Sequence, residues 1–278
     1  MMRVGVITET RYLLQDMPGM VVRELKVRGY MVDIINPDGG YFAVEDGVFI
    51  DKKNHKYRLV EYDLIISRNR NSLGLVLLYY AEELGIPTIN THKSIQKVRN
   101  KAKMGVSLAL AGIKTASTML ASSVTELCAH FEKQYPIILK AIYGDNCQGL
   151  QFVRDEYELA ELDWRSDLVL AQRYCRNDGY DLKLYACGEY VFPVRKPSPF
   201  NGNTQAPLLP VELTPELLTL AKKCGEIFEL DLYGVDCIET EDGPFVIEVN
   251  DYPNYSGIPN IASLIVDHIL ANYKPQGA

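Results

Sequence analysis

Tyr233-Gly-Val-Asp236-Cys-Ile-Glu-Thr-Glu241-Asp242-Gly243-Pro-Phe-Val-Ile-Glu248-Val-Asn250 reads as a β-hairpin that carries a metal site. Two β-rich runs flank the turn signal Glu241-Asp242-Gly243. Counting outward from Asp242 sets Asp236 opposite Glu248. Glu248 and Asn250 are two residues apart, so their side chains leave the same face of one strand. Three oxygen donors then converge without His or Cys, a set that suits Mg²⁺ or Mn²⁺. Two carboxylates facing each other on a mostly apolar hairpin repel unless a cation lies between them.

The hairpin sits near the end of a chain of 278 residues that is 47% hydrophobic, enough for a large core divided over two or three subdomains. A formal net charge of −7 argues against wholesale electrostatic binding to nucleic acid or to an anionic membrane. It leaves room for a local basic pocket. Six cysteines, at 128, 147, 175, 187, 224 and 237, form no CxxC pair and read as reduced thiols of a cytoplasmic protein. Residues 1–8 read as a first strand rather than a signal peptide. No apolar run approaches about 18 residues, so no transmembrane helix is expected.

Strands at 3–8, 31–36, 62–68 and 87–90 alternate with helices at 18–28 and 72–84, which Gly29 and Gly85 close. That order predicts a parallel α/β domain over 1–92. Residues 38–58 form a loop with a short hairpin. One helix is expected from Ser94 as N-cap to Gly112. Strands at 136–143 and 150–154 flank a glycine-bounded loop, Gly144 to Gly149. Runs at 168–175, 181–188 and 189–196, with the metal hairpin, predict an antiparallel sheet with a helix at 214–229 inserted and a last helix over 261–273. The expected division is 1–92, then 93–168 as lid and central subdomain, then 169–278.

Several polar residues stand where chemistry is plausible. Lys140 ends an apolar strand just before the loop 144–149, as a phosphate clamp does, or simply snorkels there. Gln172-Arg173-Tyr174-Cys175 ends a strand and can offer backbone groups to an adenine edge. Asp181 and Lys183 share a strand face, while Arg195 and Lys196 take opposite faces. Arg195 suits charge on a transferring phosphoryl group. Arg68 and Arg70 follow the strand YDLIIS and Arg11 follows strand 3–8, ends where open α/β sheets bind ligands. Guanidinium groups grip carboxylates and phosphates there, or the segments are solvated basic loops. Asn201 and Asn203 beside Gly202 read as turn chemistry. The basic run Lys93, Lys97, Arg99, Lys101 and Lys103 reads as a wet helix face.

The order of these parts resembles the ATP-grasp superfamily, in particular RimK-like and glutathione-synthetase-like ligases. It runs from the lysine-ended strand and small-residue loop through QRYC and DLK…R to D…ExN. The match covers about 93–260. It implies a fold of α/β and α+β parts, an N-terminal parallel α/β domain followed by two α+β subdomains clasping ATP. It further implies Mg²⁺ (or Mn²⁺) on Asp236, Glu248 and Asn250, ATP phosphates on Lys101 and Lys140 with Gly144 and Gly149 bounding their loop, and adenine at Gln172, Arg173, Tyr174 and Cys175, with Asp181 nearby. Arg195 and Lys183 become catalytic. Arg11, Arg68, Arg70, Lys196, Asn203, Tyr255, Ser256 and Gly257 become substrate contacts. The tail and LKLYACGEYVFPVRKPS are also similar to inositol polyphosphate kinases of the same fold.

The leading expectation is an ATP- and Mg²⁺-dependent carboxylate–amine ligase. It would form an amide through an acyl phosphate, from a small acid and an amine or a peptide, with no nucleic acid or membrane partner and with an oligomer possible. A kinase acting on a polyol phosphate and a nucleotide-binding regulatory protein are the alternatives.

Overall fold

The computed structural model describes residues 2–130, 135–144, 149–199 and 206–273. The chain opens with β1 (Arg3–Thr8), α1 (Thr10–Leu13), α2 (Gly19–Val27) and β2 (Met31–Ile35). Three short strands follow, β3 (Tyr41–Ala43), β4 (Val48–Ile50) and β5 (Lys56–Arg58), paired antiparallel as a small separate sheet. Then come β6 (Leu64–Arg68), α3 (Ser72–Glu83) and β7 (Thr88–Ile89). β1, β2, β6 and β7 form a parallel sheet in the order β2-β1-β6-β7. Its central strands β1 and β6 are buried almost throughout, as strands of a parallel sheet covered on both faces are. Asn71 caps α3, accepting from the backbone N–H of Leu73 at 2.8 Å.

The long helix expected from Ser94 to Gly112 is two helices. α4 (His92–Arg99) is capped by Thr91, which accepts from the Ser94 N–H at 3.1 Å. α5 (Lys101–Leu110) is capped by Asn100, whose ψ of 99° breaks the run. Its side-chain oxygen satisfies the Lys103 N–H at 2.9 Å. An Asn that bonds its neighbours' backbone competes with helix continuation, and here it wins.

β8 (Thr118–Ala121), α6 (Val124–His130), β9 (Ile137–Lys140), β10 (Leu150–Val153), α7 (Glu156–Ala160) and β11 (Val169–Arg173) build the second unit. Its sheet runs β10-β9-β11-β8. β11, placed at the head of the last subdomain by sequence, is hydrogen-bonded into this sheet instead. Leu127, Ile137, Leu139, Leu159 and Val169 fill the core beneath it.

β12 (Tyr180–Cys187), β13 (Tyr190–Pro197), β14 (Leu209–Pro210), α8 (Pro215–Phe228), β15 (Leu232–Thr240), β16 (Gly243–Asp251) and α9 (Ile261–Asn272) complete the chain. The sheet order is β14-β13-β12-β15-β16. One face packs on α8 and α5 through Leu182, Leu184, Val235, Cys237 and Phe228. Gly225 lets α8 approach, since a Cβ there would lie 2.4 Å from the Tyr233 hydroxyl. The other face, through Tyr185, Cys187 and Leu232, joins α9 and the N-terminal sheet in one core. Among the described residues no helix is long and apolar enough to cross a membrane.

Candidate active site

The β15–β16 hairpin turns at Glu241-Asp242, with Thr240 opposite Gly243. That turn alone would set Asp236 against Ile247 and send Glu248 to the core face. A bulge intervenes. Cys237 pairs with Val246, and Asp236 pairs with Glu248. The extra residue restores the parity that a tight turn would have lost. The expected pairing of Asp236 with Glu248 is therefore present, but through a two-residue turn plus a bulge.

Each carboxylate of this pair meets a lysine. Lys183 Nζ lies 2.6 Å from Asp236 Oδ2, and the Lys101 ammonium pairs with Glu248. Asn250 Nδ2 donates to Asp236 Oδ2 at 3.3 Å. Burial alone would raise the Glu248 carboxyl, but Lys101, with Lys140 and Lys183 behind it, holds it below its ordinary value. Burial alone would lower the Lys183 ammonium, and Asp236 outweighs it in the opposite sense. Among the described residues no three His, Cys, Asp or Glu side chains cluster as metal ligands. The triad here takes an amide as its third donor, and two opposed carboxylates with one amide fit a hard divalent cation.

The triad lines a cleft of about 610 Å³. Along it stand Arg68, Arg70, Arg99, Lys101, Gly144, Asp181, Lys183, Lys196 and Ser256. Sequence positions far apart are thus brought together. Arg68 is 6% exposed and among the described residues donates to neutral oxygens, Tyr252 O at 3.1 Å, Met17 O and Gln15 Oε1 at 2.9 Å. Burial lowers its pKa. Burial also raises the Asp181 carboxyl, against the pull of Lys183.

A second cleft of about 620 Å³ is lined by Thr115, Ala116, Pro136, Arg173, Tyr174, Cys175, Thr240 and Phe245. β16 runs from one cleft to the other, with Phe245 in the second and Glu248 and Asn250 in the first. Lys140 grips the strand between them, donating to Ile247 O at 3.4 Å and to Gln172 Oε1 at 2.6 Å. Gln172 in turn donates to Thr118 Oγ1 at 3.1 Å. Its side chain therefore holds Lys140. Burial pulls the Lys140 pKa down to about 8. At the base of the loop after Lys140, the Ala141 N–H donates to Gly149 O at 2.8 Å. A Cβ on Gly149 would lie 2.6 Å from Ala141 Cβ.

Four expected contacts lie elsewhere. Arg195 is on the face opposite Lys183, because it pairs with Leu182 across the ladder. It meets Asp178, and its Nε stands 3.0 Å from Glu239 Oε2. The tight turn at Gly188-Glu189 already sets Lys196 opposite Asp181, so Lys196 is the cation presented to the cleft. Arg11 turns to Glu9 at 3.0 Å. Tyr255 is buried, its hydroxyl donating to Ala186 O at 2.6 Å. Gly257, with φ +81°, packs on Leu208. Asn203 falls outside the described residues, as do Asn201, Asp145 and Cys147.

Arg99 was missed. It is not on a wet face. Its Nε and one Nη hold Asp251 at 3.0 and 2.6 Å, and the guanidinium also reaches Asn69 O. Lys97 docks as well, on Ile227 O at 2.6 Å, whereas Lys93, paired with Glu229 at 3.0 Å, lies on the wet face as expected. The available signal was Asp251 itself, an acid directly after the metal strand that needed a partner.

The RimK-like ATP-grasp domain matches residues 98–272. The chain belongs to the RimK-like ATP-grasp family. A probable alpha-L-glutamate ligase of Legionella pneumophila (strain Corby) is 26% identical over 277 residues, covering 91% of this chain and 90% of that one. A RimK domain ATP-grasp protein from Sphaerobacter thermophilus superposes with a TM-score of 0.75 at 19% identity, over 96% of this chain and 99% of that one. A RiPP-associated ATP-grasp ligase from Chryseobacterium gregarium, in complex with ADP and a leader and core peptide, gives 0.70 at 16% identity, over 99% and 98%. This member of the family is an ATP-binding carboxylate–amine ligase, and its fold is the expected ATP-grasp.

Proposed function

We propose that the ligase activates a carboxylic acid as an acyl phosphate at the Asp236–Glu248–Asn250 face and passes the acyl group to an amine. The observation that carries this is the opposition of Asp236 and Glu248 in a cleft that Arg68 and Arg70 also line. ATP lies along β16, with adenine in the Arg173–Cys175 cleft and the phosphates toward Lys140, Lys101 and Lys183. Mg²⁺ on Asp236, Glu248 and Asn250 neutralises phosphoryl charge when bound. A substrate carboxylate oxygen attacks the γ-phosphorus and ADP leaves. The amine then attacks the acyl carbon, the C–O bond to phosphate breaks, and the amine proton leaves with phosphate or solvent. The chain's own residues position and neutralise, with little acid–base work. Lys196 serves the charge that Arg195 was expected to serve, and Arg70 and Ser256 face the substrate.

In this reading residues 1–92 supply the substrate wall and 93–278 the nucleotide clasp. Substrates are a small amino acid and an amine or a peptide, and L-glutamate is the first acid to try, given the relatives' description. The setting is the cytoplasm, in keeping with five described cysteines that are all free thiols. The test is ADP release with Mg²⁺ and ATP across amino acids and short peptides, with hydroxylamine present. A hydroxamate is expected. ADP release with a stable phosphate ester and no hydroxamate overturns the ligase assignment in favour of phosphoryl transfer to an alcohol.

A further inference from the structure

Arg99, Asn100 and Lys101 are consecutive, yet they touch three separate parts of the molecule. Arg99 joins Asn69 O, at the end of β6, to Asp251, at the end of β16. Asn100 Nδ2 donates to the Tyr143 hydroxyl at 2.9 Å. The Lys101 N–H donates to Ile142 O at 3.0 Å, and its ammonium pairs with Glu248. The stem of the phosphate loop, the metal strand and the substrate wall therefore meet at one helix break. The Arg99 and Lys101 side chains are each 9% exposed, so neither can drift into solvent as its surroundings change. Among the described residues Arg99 Nη1 is buried without a hydrogen-bond partner, so there the fork is held on one side and has a donor to spare.

We propose that Arg99-Asn100-Lys101 is a positioning joint that carries nucleotide binding at Glu248 to the Arg68–Asn69–Arg70 wall. The proposal rests on the nucleotide reading above. Lys101 shares Glu248 with any cation bound there, so filling that site obliges the ammonium to turn to phosphate or α5 to shift. Asp251 lies three residues beyond Glu248 on the same strand and holds Arg99, which holds Asn69. A close-packed interior answers such a change by switching between arrangements rather than by yielding smoothly. Substrate then meets a wall already set by ATP.

Hydrogen exchange of the full chain, with and without ADP and Mg²⁺, tests this without any acid substrate. In the wild type the nucleotide is expected to slow exchange at least threefold in residues 172–176 and also in 67–71. Arg99→Lys keeps the charge beside Asp251 but lacks the planar fork that spans to Asn69. It should lose more than half of the effect at 67–71 and keep it at 172–176. Tyr143→Phe, at an exposed side chain, removes only the hydroxyl on the lid side and should act in the same direction. Slowing at 172–176 with none at 67–71, or variants that respond like the wild type, overturns the joint alone. No slowing at 172–176 overturns the nucleotide reading and the joint with it.

Discussion

The two faces of the β14-β13-β12-β15-β16 sheet are built from the same strands and do opposite things. One carries Asp181, Lys183, Lys196, Asp236, Glu248 and Asn250 into a cleft. The other carries Leu182, Leu184, Val235 and Cys237 into a core with α8, and Arg195 ends up at its margin between Asp178 and Glu239. In a strand the face is set by parity alone, so one residue of slip moves a ligand into the core. The bulge opposite Asp236 is therefore as much part of the site as the carboxylates. It gives Glu248 its face, and it leaves the Ile247 carbonyl for Lys140.

The strongest way to break the cleft face is Glu248→Gln. The amide keeps the shape and one oxygen but loses the charge that Lys101 and a cation both use. Several kcal/mol of charge stabilisation should go, or roughly a thousandfold in turnover. ADP release and circular dichroism check it. Unchanged turnover in a folded variant removes Glu248 from the site.

Next in size is the link between β16 and the N-terminal domain. Arg99→Met leaves Asp251 buried without its cation, and removing one partner of a buried pair costs about 3–5 kcal/mol. Burial alone would raise the Asp251 carboxyl, and Arg99 holds it below its ordinary value. Urea unfolding should show the loss at pH 7. The difference between wild type and variant should shrink as pH falls through the carboxylate range, because protonated Asp251 no longer needs a cation.

Legibility followed the same division. The parallel sheet of residues 3–89 and the hairpin could be read because apolar runs and period-2 spacing report local geometry directly. The helix break at Asn100 was hidden, since the apolar spacing continues through it and only the Asn side chain ends it. Arg195 and Lys196 were known to take opposite faces. Which face is the cleft depends on the register across β12, and that is a tertiary fact unless the Gly188-Glu189 turn is counted. The strand-end position of Gln172 points to its backbone at the hinge, and in the structure its side chain holds Lys140. The strand-end position of Arg68 suggests a ligand grip, yet its donors serve backbone and amide oxygens of the chain itself.

Lys140 sharpens the comparison through pH. Its pKa of about 8 lies below the ordinary lysine value, so the free protein loses this ammonium as pH rises through 8. A phosphate needs the charged form. The affinity for ADP should be highest below pH 8 and fall above it, by up to about tenfold per pH unit. Lys140→Arg stays charged and should flatten that decline. Calorimetric titration between pH 7 and 9.5 reads both, and a flat wild-type profile would take Lys140 off the phosphates.

The smallest effects compare the faces most directly, because Arg195 and Lys196 are adjacent. Lys196 opposes Asp181 on the cleft face, and Arg195 opposes Leu182 on the other. Lys196→Met should lower kcat/KM about tenfold, the order expected for one partly screened charge in a wet cleft. Arg195→Gln removes ion pairs whose acidic partners are about half exposed or more. Such pairs are worth at most about 1 kcal/mol of stability, and kcat/KM should change by less than about threefold. If the order were reversed, with Arg195 the costlier loss, the chemistry would have to sit at the edge of the sheet rather than over the metal face. The parity argument would then fail at the strand where it is simplest to count.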